Sequence, residues 1–475
     1  MFCAFGVFLT EKSLNSINLM IKRLFSALFG SQLRQNMSSG VIRAVINAAV
    51  LLVSYPLYLH YLGYEKFGLW SILTTVLSFA QISNIGIAQA VTKLTAEEYG
   101  RNNKKAIQAY IVMALTILII SGTTVVVPML IFKTQIVALF KLSPANGQIV
   151  SWLLPYIALL SLYVLFVQVF NATVMGLGRM DLANSIQLIG QVLSVGSAVF
   201  LLWMGNGIES LLIGSALSYL FIHIVSLIII KRITGLHFFE KSYWKRGYLK
   251  RLLHFGAGVS GSSLLSLLVE PFTKLMLSRH VGVTAVPIFE ISFRAAVQIR
   301  ALFESGLSAI MPEISRLSGS VSKQAWQRIR QITIRAMKLV VSVSFPFYTF
   351  VFIAAEFLLK LWLRQQYRPE LTSAFRIMLI ASFFSLAGVP AFHTIMGFGK
   401  VRYCLIANSI SALGNAVILI SICYLPVALT VNRAGLGLSV VFGLSSIYLI
   451  YKFFELVSQH DNRITNSMSV IYQNE

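Results

Sequence analysis

GLSVVFGLSSIYLIYKFF, residues 437–454, decides the fold. Its only charge is Lys452, and its apolar residues show none of the alternation that marks a barrel strand. Lipid offers no partner to backbone N–H and C=O groups. A run this long therefore crosses a hydrocarbon core of about 30 Å as a helix, whose hydrogen bonds close within the segment. Comparable runs lie at 40–62, 66–91, 107–132, 150–176, 181–204, 207–230, 253–279, 285–311, 333–360, 372–397, 401–424 and 430–454. The chain reads as an all-α integral membrane protein with about twelve transmembrane helices. Its residues are 57% hydrophobic and 12% charged, against roughly 25% charged in soluble domains, which excludes a water-soluble fold.

The net charge of +23 raises the question of an anionic polymer as partner. The Lys and Arg are scattered over many short loops, the pattern that marks the cytoplasmic side of a membrane protein and not a nucleic-acid site. Most of the 39 fall on one side if both termini are cytoplasmic. Lys360, Arg364 and Arg368, in the loop KLWLRQQYRPE, oppose the trend and suit contact with anionic headgroups or sugars. Residues 1–37 show no signal-peptide pattern; they hold IKRLFSALFGSQLR (21–34), a candidate interfacial helix, and Met20 and Met37 are alternative starts. Cys3, Cys404 and Cys423 have no metal-ligand spacing and no paired framework, and read as apolar filling.

MGLGR (175–179) recurs as MGFGK (396–400), followed respectively by LANSI (182–186) and IANSI (406–410). Alone, a Gly-x-Gly-basic run is a tight turn. Its recurrence at matching places in two sets of six spans predicts two parallel six-helix lobes around a central cavity. The lobes are expected at 38–231 and 253–455, joined by a basic cytoplasmic linker at 232–252 and followed by a cytoplasmic tail at 456–475.

IFEISFRAAVQIRALFES (288–305) breaks the apolar pattern with Glu290, Arg294, Arg300 and Glu304. Each charge at a helix centre costs about 2.5–3.5 kcal/mol on insertion, while each large apolar residue returns about 0.3–0.6 kcal/mol. Exposure to lipid on all sides is therefore unfavourable. At 100° per residue the four charges and Gln298 fall within an arc of about 160°, which must face protein or water. In the preceding span Ser263, Ser266, Glu270 and Lys274 share a face, and Pro271 is placed to bend the helix. Arg43 and Lys338, in the first and ninth spans, add positive charge. One reading makes Glu270 with Lys274, and Glu290 with Arg294, neutralising i to i+4 ion pairs. The other makes the whole set the lining of a hydrated, net cationic cavity, because Arg43, Lys274, Arg294, Arg300 and Lys338 outnumber Glu270, Glu290 and Glu304.

With the two turns above, YLGYEKFGLW (61–70) and SNIGIAQAVTKLTAEEYGR (83–101) complete a recognisable pattern. Over about residues 38–455 the chain resembles the polysaccharide exporters of the multidrug, oligosaccharidyl-lipid and polysaccharide (MOP) superfamily, specifically O-antigen type flippases for lipid-linked oligosaccharides. It departs from them at Asn84, where members often carry Asp, and at Lys93, where they often carry Arg, so no acid or cation site carries over to the second helix. The resemblance implies a bacterial inner-membrane carrier of a polyprenyl-pyrophosphate-linked oligosaccharide, with membrane lipids and other glycan-assembly proteins as partners. A pyrophosphate in the bilayer interior needs donors and positive field, which the planar guanidinium supplies. Arg294 and Arg300 are the candidate phosphate ligands, supported by Arg43 and Lys274, with Lys338 as a secondary cavity charge. Glu270, Glu290 and Glu304 are candidates for proton or sodium coupling, or for counter-ions of the empty cavity.

The rival from another class is a membrane glycan polymerase or glycosyltransferase, which needs acid, base or metal groups on a sizeable outer loop. Here the outer loops are short, no HExxH occurs, and His223 and His393 read as packed polar residues. No P-loop is present, so no nucleotide or other cofactor is implied. Nearer alternatives are a drug or cation exporter of the same superfamily and a carrier of lipid-linked peptidoglycan precursors.

Overall fold

The computed structural model describes residues 31–84, 86–235, 246–307, 323–424 and 428–472, together with Ile310, Ile314, Ser315 and Leu317. Residues 1–30, with most of the candidate interfacial helix, lie outside the described residues, as do 236–245 of the basic linker. Among the described residues there are fourteen α-helices and no strand: α1 (Ser31–Ala80), α2 (Ile87–Gly100), α3 (Lys104–Ile131), α4 (Lys133–Leu139), α5 (Pro144–Gly176), α6 (Met180–Trp203), α7 (Glu209–Thr234), α8 (Arg246–His280), α9 (Ala285–Leu307), α10 (Lys323–Leu363), α11 (Pro369–Ala387), α12 (Val389–Gly397), α13 (Val401–Tyr424) and α14 (Val431–Tyr472).

These helices give the twelve crossings. Helix α1 holds two of them, because Gly63 adopts φ 68°, ψ 176° and turns the chain back between the first and second. Only a residue without Cβ takes that backbone at no steric cost. The second crossing is itself interrupted: a 3₁₀ turn at Gln81–Asn84 and a left-handed Gly86 separate it from α2. A broken helix is tolerated at membrane depth where the freed backbone finds partners, and Asn84 Oδ1 accepts from Ala88 N at 3.2 Å. The fourth and tenth crossings end in the same turn. Arg179 N donates to Val174 O and Gly178 N to Met175 O; Lys400 N donates to Ile395 O and Gly399 N to Met396 O. Gly178 and Gly399 sit at φ 80° and 70°. Helix α8 runs through Pro271 without a break, and α14 continues without a break through the expected tail to Tyr472.

By length and composition nine described spans, counting residues 45–78 as one and α11 with α12 as one, are apolar enough to cross a membrane. Helix α9 is not among them; Glu290, Arg294, Arg300 and Glu304 crowd its length. Packing between helices rests on close approach and on side-chain hydrogen bonds, as expected where lipid competes for apolar contact. At Gly214 of α7 an added Cβ would lie 2.5 Å from Ser194 O of α6, so these backbones touch. In the second lobe Ser382 Oγ of α11 donates to Ala296 O of α9 at 3.0 Å.

Helix α8 belongs to both lobes. Its C-terminal half docks on α13, where Asn415 Nδ2 donates to Thr273 Oγ1 at 3.0 Å. Its start carries Leu252 into the apolar core of the first lobe, beside Ile107 and Tyr110. There Arg251 pairs with Glu97 and, at 3.4 Å, with buried Glu98. On the face away from Ser31 and Tyr472 the lobes close on each other. Tyr64 OH donates to Gln366 O at 2.6 Å, Trp362 Nε1 to Leu52 O at 2.6 Å, and Ser278 Oγ to Phe140 O at 3.0 Å. Ile72, Phe140 and Val286 form one buried cluster across the junction. Of the three basic residues that oppose the charge trend, Arg368 lies 3.9 Å over the Tyr64 ring in this closure.

Candidate functional site

Two polar regions lie within the apolar body. The first is the charged one. Glu270 and Lys274 occupy successive turns of α8, and Glu290 and Arg294 successive turns of α9. Both i to i+4 pairs form, with Lys274 Nζ 2.7 Å from Glu270 Oε1 and Arg294 Nε 3.0 Å from Glu290 Oε1. The cross pairs form too: Lys274 bonds Glu290, and Arg294 Nη2 lies 2.9 Å from Glu270 Oε1. Helix α1 completes the cluster, as Tyr55 OH donates to Glu290 Oε1 at 3.2 Å and Ser71 Oγ to Glu290 Oε2 at 3.3 Å. Burying an ion needs a partner and satisfied lone pairs. Glu290 has both, and its side chain is 8% exposed; Lys274 is 2% exposed. Arg294 differs, with 43% of its side chain exposed.

The other sequence candidates are placed apart. Arg300 is six residues, or about 9 Å along the helix axis, beyond Arg294. It pairs with Glu304 at 3.4 Å and donates through Nη1 to Ser385 Oγ at 2.7 Å. Its Nε is buried without a partner among the described residues. Lys338 is exposed on α10 and has no ion pair among the described residues. The backbone of Arg43 lies in α1, and its side chain lies outside the described residues. The sequence reading expects a net cationic lining. The six charges that the structure pairs, Lys274, Arg294 and Arg300 against Glu270, Glu290 and Glu304, instead sum to zero. Each of these cations has an i to i+4 partner on its own helix, and Lys274 and Arg294 are bonded across helices as well; the excess expected from the sequence lies in Arg43 and in the exposed Lys338.

The second region escapes the sequence reading. A cavity of about 780 Å³ opens in the first lobe. Helix α5 contributes Gln168 and Asn171, α6 Gln187, Gln191 and Ser194, and α7 Ser215, Ser218 and Tyr219. The broken second crossing adds Gln81, Asn84 and Gln89, the first crossing Asn47, and α8 Leu267. No described lining residue is charged. The amides are oriented by one another: Asn84 Nδ2 donates to Gln168 Oε1 at 2.6 Å, Gln168 Nε2 to Gln81 Oε1 at 2.7 Å, and Gln187 Nε2 to Asn171 Oδ1 at 2.7 Å. Asn47 Oδ1 and Gln81 Nε2 are buried without partners among the described residues. The signal available in the sequence is one of spacing, since 187, 191 and 194 share a face of α6 and 168, 171 and 175 a face of α5. Leu267 connects the two regions, because Glu270 stands one turn further along α8.

Neither histidine of note lies in these regions. His223 Nδ1 is 2.8 Å from Tyr163 OH and its ring stacks on Phe170 at 4.7 Å. His393 packs edge-on against Phe392. Among the described residues no three His, Cys, Asp or Glu come together as a metal-binding group. What the two regions offer is a polar interior, a charge-paired cluster on α8 and α9 and an amide-lined cavity in the first lobe.

The family described as polysaccharide biosynthesis protein matches residues 33–318. A Shigella flexneri protein named "Putative O-antigen transporter" is 19% identical over 344 residues, covering 72% of this chain and 79% of that one. Among solved structures, a multidrug resistance MATE family transporter of the MOP superfamily in its inward-facing conformation superposes with TM-score 0.74 at 16% identity, covering 88% of this chain and 96% of that one. The outward-facing conformation of such a transporter gives 0.58 at 15% identity, covering 91% and 99%. A MOP superfamily transporter from Pyrococcus furiosus gives 0.60 at 14% identity, covering 91% and 99%.

Proposed function

We propose a substrate on one premise: the chain belongs to the polysaccharide biosynthesis protein family, and it is a multi-pass membrane transporter of the MOP superfamily, not an enzyme. The cargo is a polyprenyl-pyrophosphate-linked oligosaccharide, a repeat unit of O-antigen or capsule, moved across the bacterial inner membrane by alternating access. Both termini are cytoplasmic, as the Lys and Arg distribution indicates, so the closed face is the outer one and the cavity is reached from the cytoplasm.

The half-exposed guanidinium of Arg294 carries this reading. Lys274, Tyr55 and Ser71 hold Glu290 from the other side. Arg294 can therefore exchange Glu270 for a phosphate oxygen without stranding Glu290. Arg300, six residues along, has an Nε buried without a partner among the described residues and receives the second phosphate. Glu270, Glu290 and Glu304 keep the empty site neutral, and protonation of Glu270 would leave the cluster with one net positive charge when the anion arrives. Arg43 and Lys338 add to the field. The polyprenyl tail stays in lipid throughout.

A drug or cation exporter is the second reading, favoured by the balanced charge of the cluster. Deleting the gene and analysing the lipid-linked glycans separates the two. Accumulation of an undecorated lipid-linked oligosaccharide on the inner leaflet, reversed by the plasmid-borne gene, is expected. A glycan pool unchanged by deletion refutes the flippase. Export that continues after the proton and sodium gradients are collapsed removes coupling through Glu270.

A further inference from the structure

We infer that the neutral amide-lined cavity of the first lobe holds the uncharged sugar rings of the cargo, apart from the charged cluster that meets its phosphates. This rests on the flippase reading and specifies where the glycan sits.

Chemistry selects the ligand. A phosphate needs cations and an organic cation needs a carboxylate or an aromatic cage; among the described residues this lining has no charge, and Tyr219 is its one aromatic side chain. An amide carries a donor and an acceptor, and so does each sugar hydroxyl. Asn47 supplies an orphan acceptor and Gln81 an orphan donor to the same lining, a combination that suits a hydroxyl and no simple ion. The amide pairs are already aligned by bonds of 2.6–2.7 Å, so little ordering remains to be lost on binding. Polar side chains at membrane depth are costly to insert, and a lining this rich in them points to a hydrophilic passenger. The volume, about 780 Å³, lies in the ~300–1,000 Å³ range of ligand sites, enough for an oligosaccharide fragment with water. Position agrees as well. In the cargo the first sugar is bonded directly to the pyrophosphate, and in the protein the cavity reaches Leu267, one turn from Glu270.

The test uses the full chain in lipid nanodiscs and two probes. One is the lipid-linked oligosaccharide extracted from the deletion strain. The other is the glycan released from it by mild acid, which cleaves the sugar–phosphate bond and removes pyrophosphate and lipid together. Isothermal titration is expected to show the wild type binding the free glycan. Gln187→Leu with Gln191→Leu should weaken that binding by about tenfold or more, the scale of one or two lost hydrogen bonds. Arg294→Ala should leave it unchanged while weakening the lipid-linked probe. Ser215→Phe fills the cavity from α7 and removes no amide; among the described residues Ser215 bonds only Leu211 O of its own helix. It should weaken glycan binding too, so a folding defect of the α6 variant does not decide the outcome. A wild type that binds the lipid-linked probe but not the free glycan, or correctly inserted variants that bind it as the wild type does, overturns the inference and leaves the flippase standing. A deletion strain with no accumulated lipid-linked glycan overturns both.

Discussion

Replacing Gly68 by Ala should drive the transporter open on the face where the lobes close, the outer one in the proposed orientation. Gly68 lies at the lobe junction, and a Cβ there would sit 2.6 Å from Val283 O, 2.8 Å from Val283 Cγ1 and 3.2 Å from Pro287 Cδ. Ordinary carbon contacts lie at about 3.5–4.0 Å, so the second lobe must retreat by roughly 1 Å. The nearest obstacle is backbone, which no rotamer change can move aside. Overpacking of this kind costs about 1–3 kcal/mol. The whole cost falls on the closed state, because opening separates residue 68 from residue 283. A bias of that size shifts the equilibrium by about 5–150-fold. Ile72 reports it: its side chain is fully buried between Phe140 and Val286. With Cys423 replaced by Ser, Ile72→Cys is labelled in intact cells by a membrane-impermeant maleimide. Gly68→Ala should raise the labelling rate by a factor in that range and slow export. Equal rates with and without Gly68→Ala would refute the reasoning, since the contact would then not hold the lobes together.

Arg294→Ala should abolish export at normal expression, and Arg294→Lys should restore it only in part, because an ammonium lacks the planar fork; glycan retained on the inner leaflet is the readout. Lys274→Met leaves Glu290 and Glu270 sharing only Arg294, a loss of about 3–5 kcal/mol for breaking a buried pair. Thermal unfolding in detergent should fall sharply for that variant and recover in Lys274→Met with Glu290→Gln. Gly176→Ala would place a Cβ 2.6 Å from Thr92 O and should lower the unfolding temperature more than Gly178→Ala, which meets open space and costs only about 1 kcal/mol of backbone strain at φ 80°.

The twelve crossings, the paired MGLGR and MGFGK turns and the transporter class were legible in one dimension, because lipid leaves an apolar run of twenty residues one available structure. The ion pairs within α8 and α9 were legible too, since i to i+4 neighbours share a helix face. Lys274 meeting Glu290, and Arg294 meeting Glu270, were not, since each is a contact between α8 and α9. Nor was the amide cavity: residues 47, 84, 168 and 187 come from four separate crossings and meet only after folding. The physical reason is common to both. In a bilayer the outside of a helix is as apolar as its packed side, so periodicity reveals that a helix spans the membrane and not which way it is turned or what it faces. Rotation and partnership are decided by close backbone approach and buried hydrogen bonds between helices, and those exist only in three dimensions.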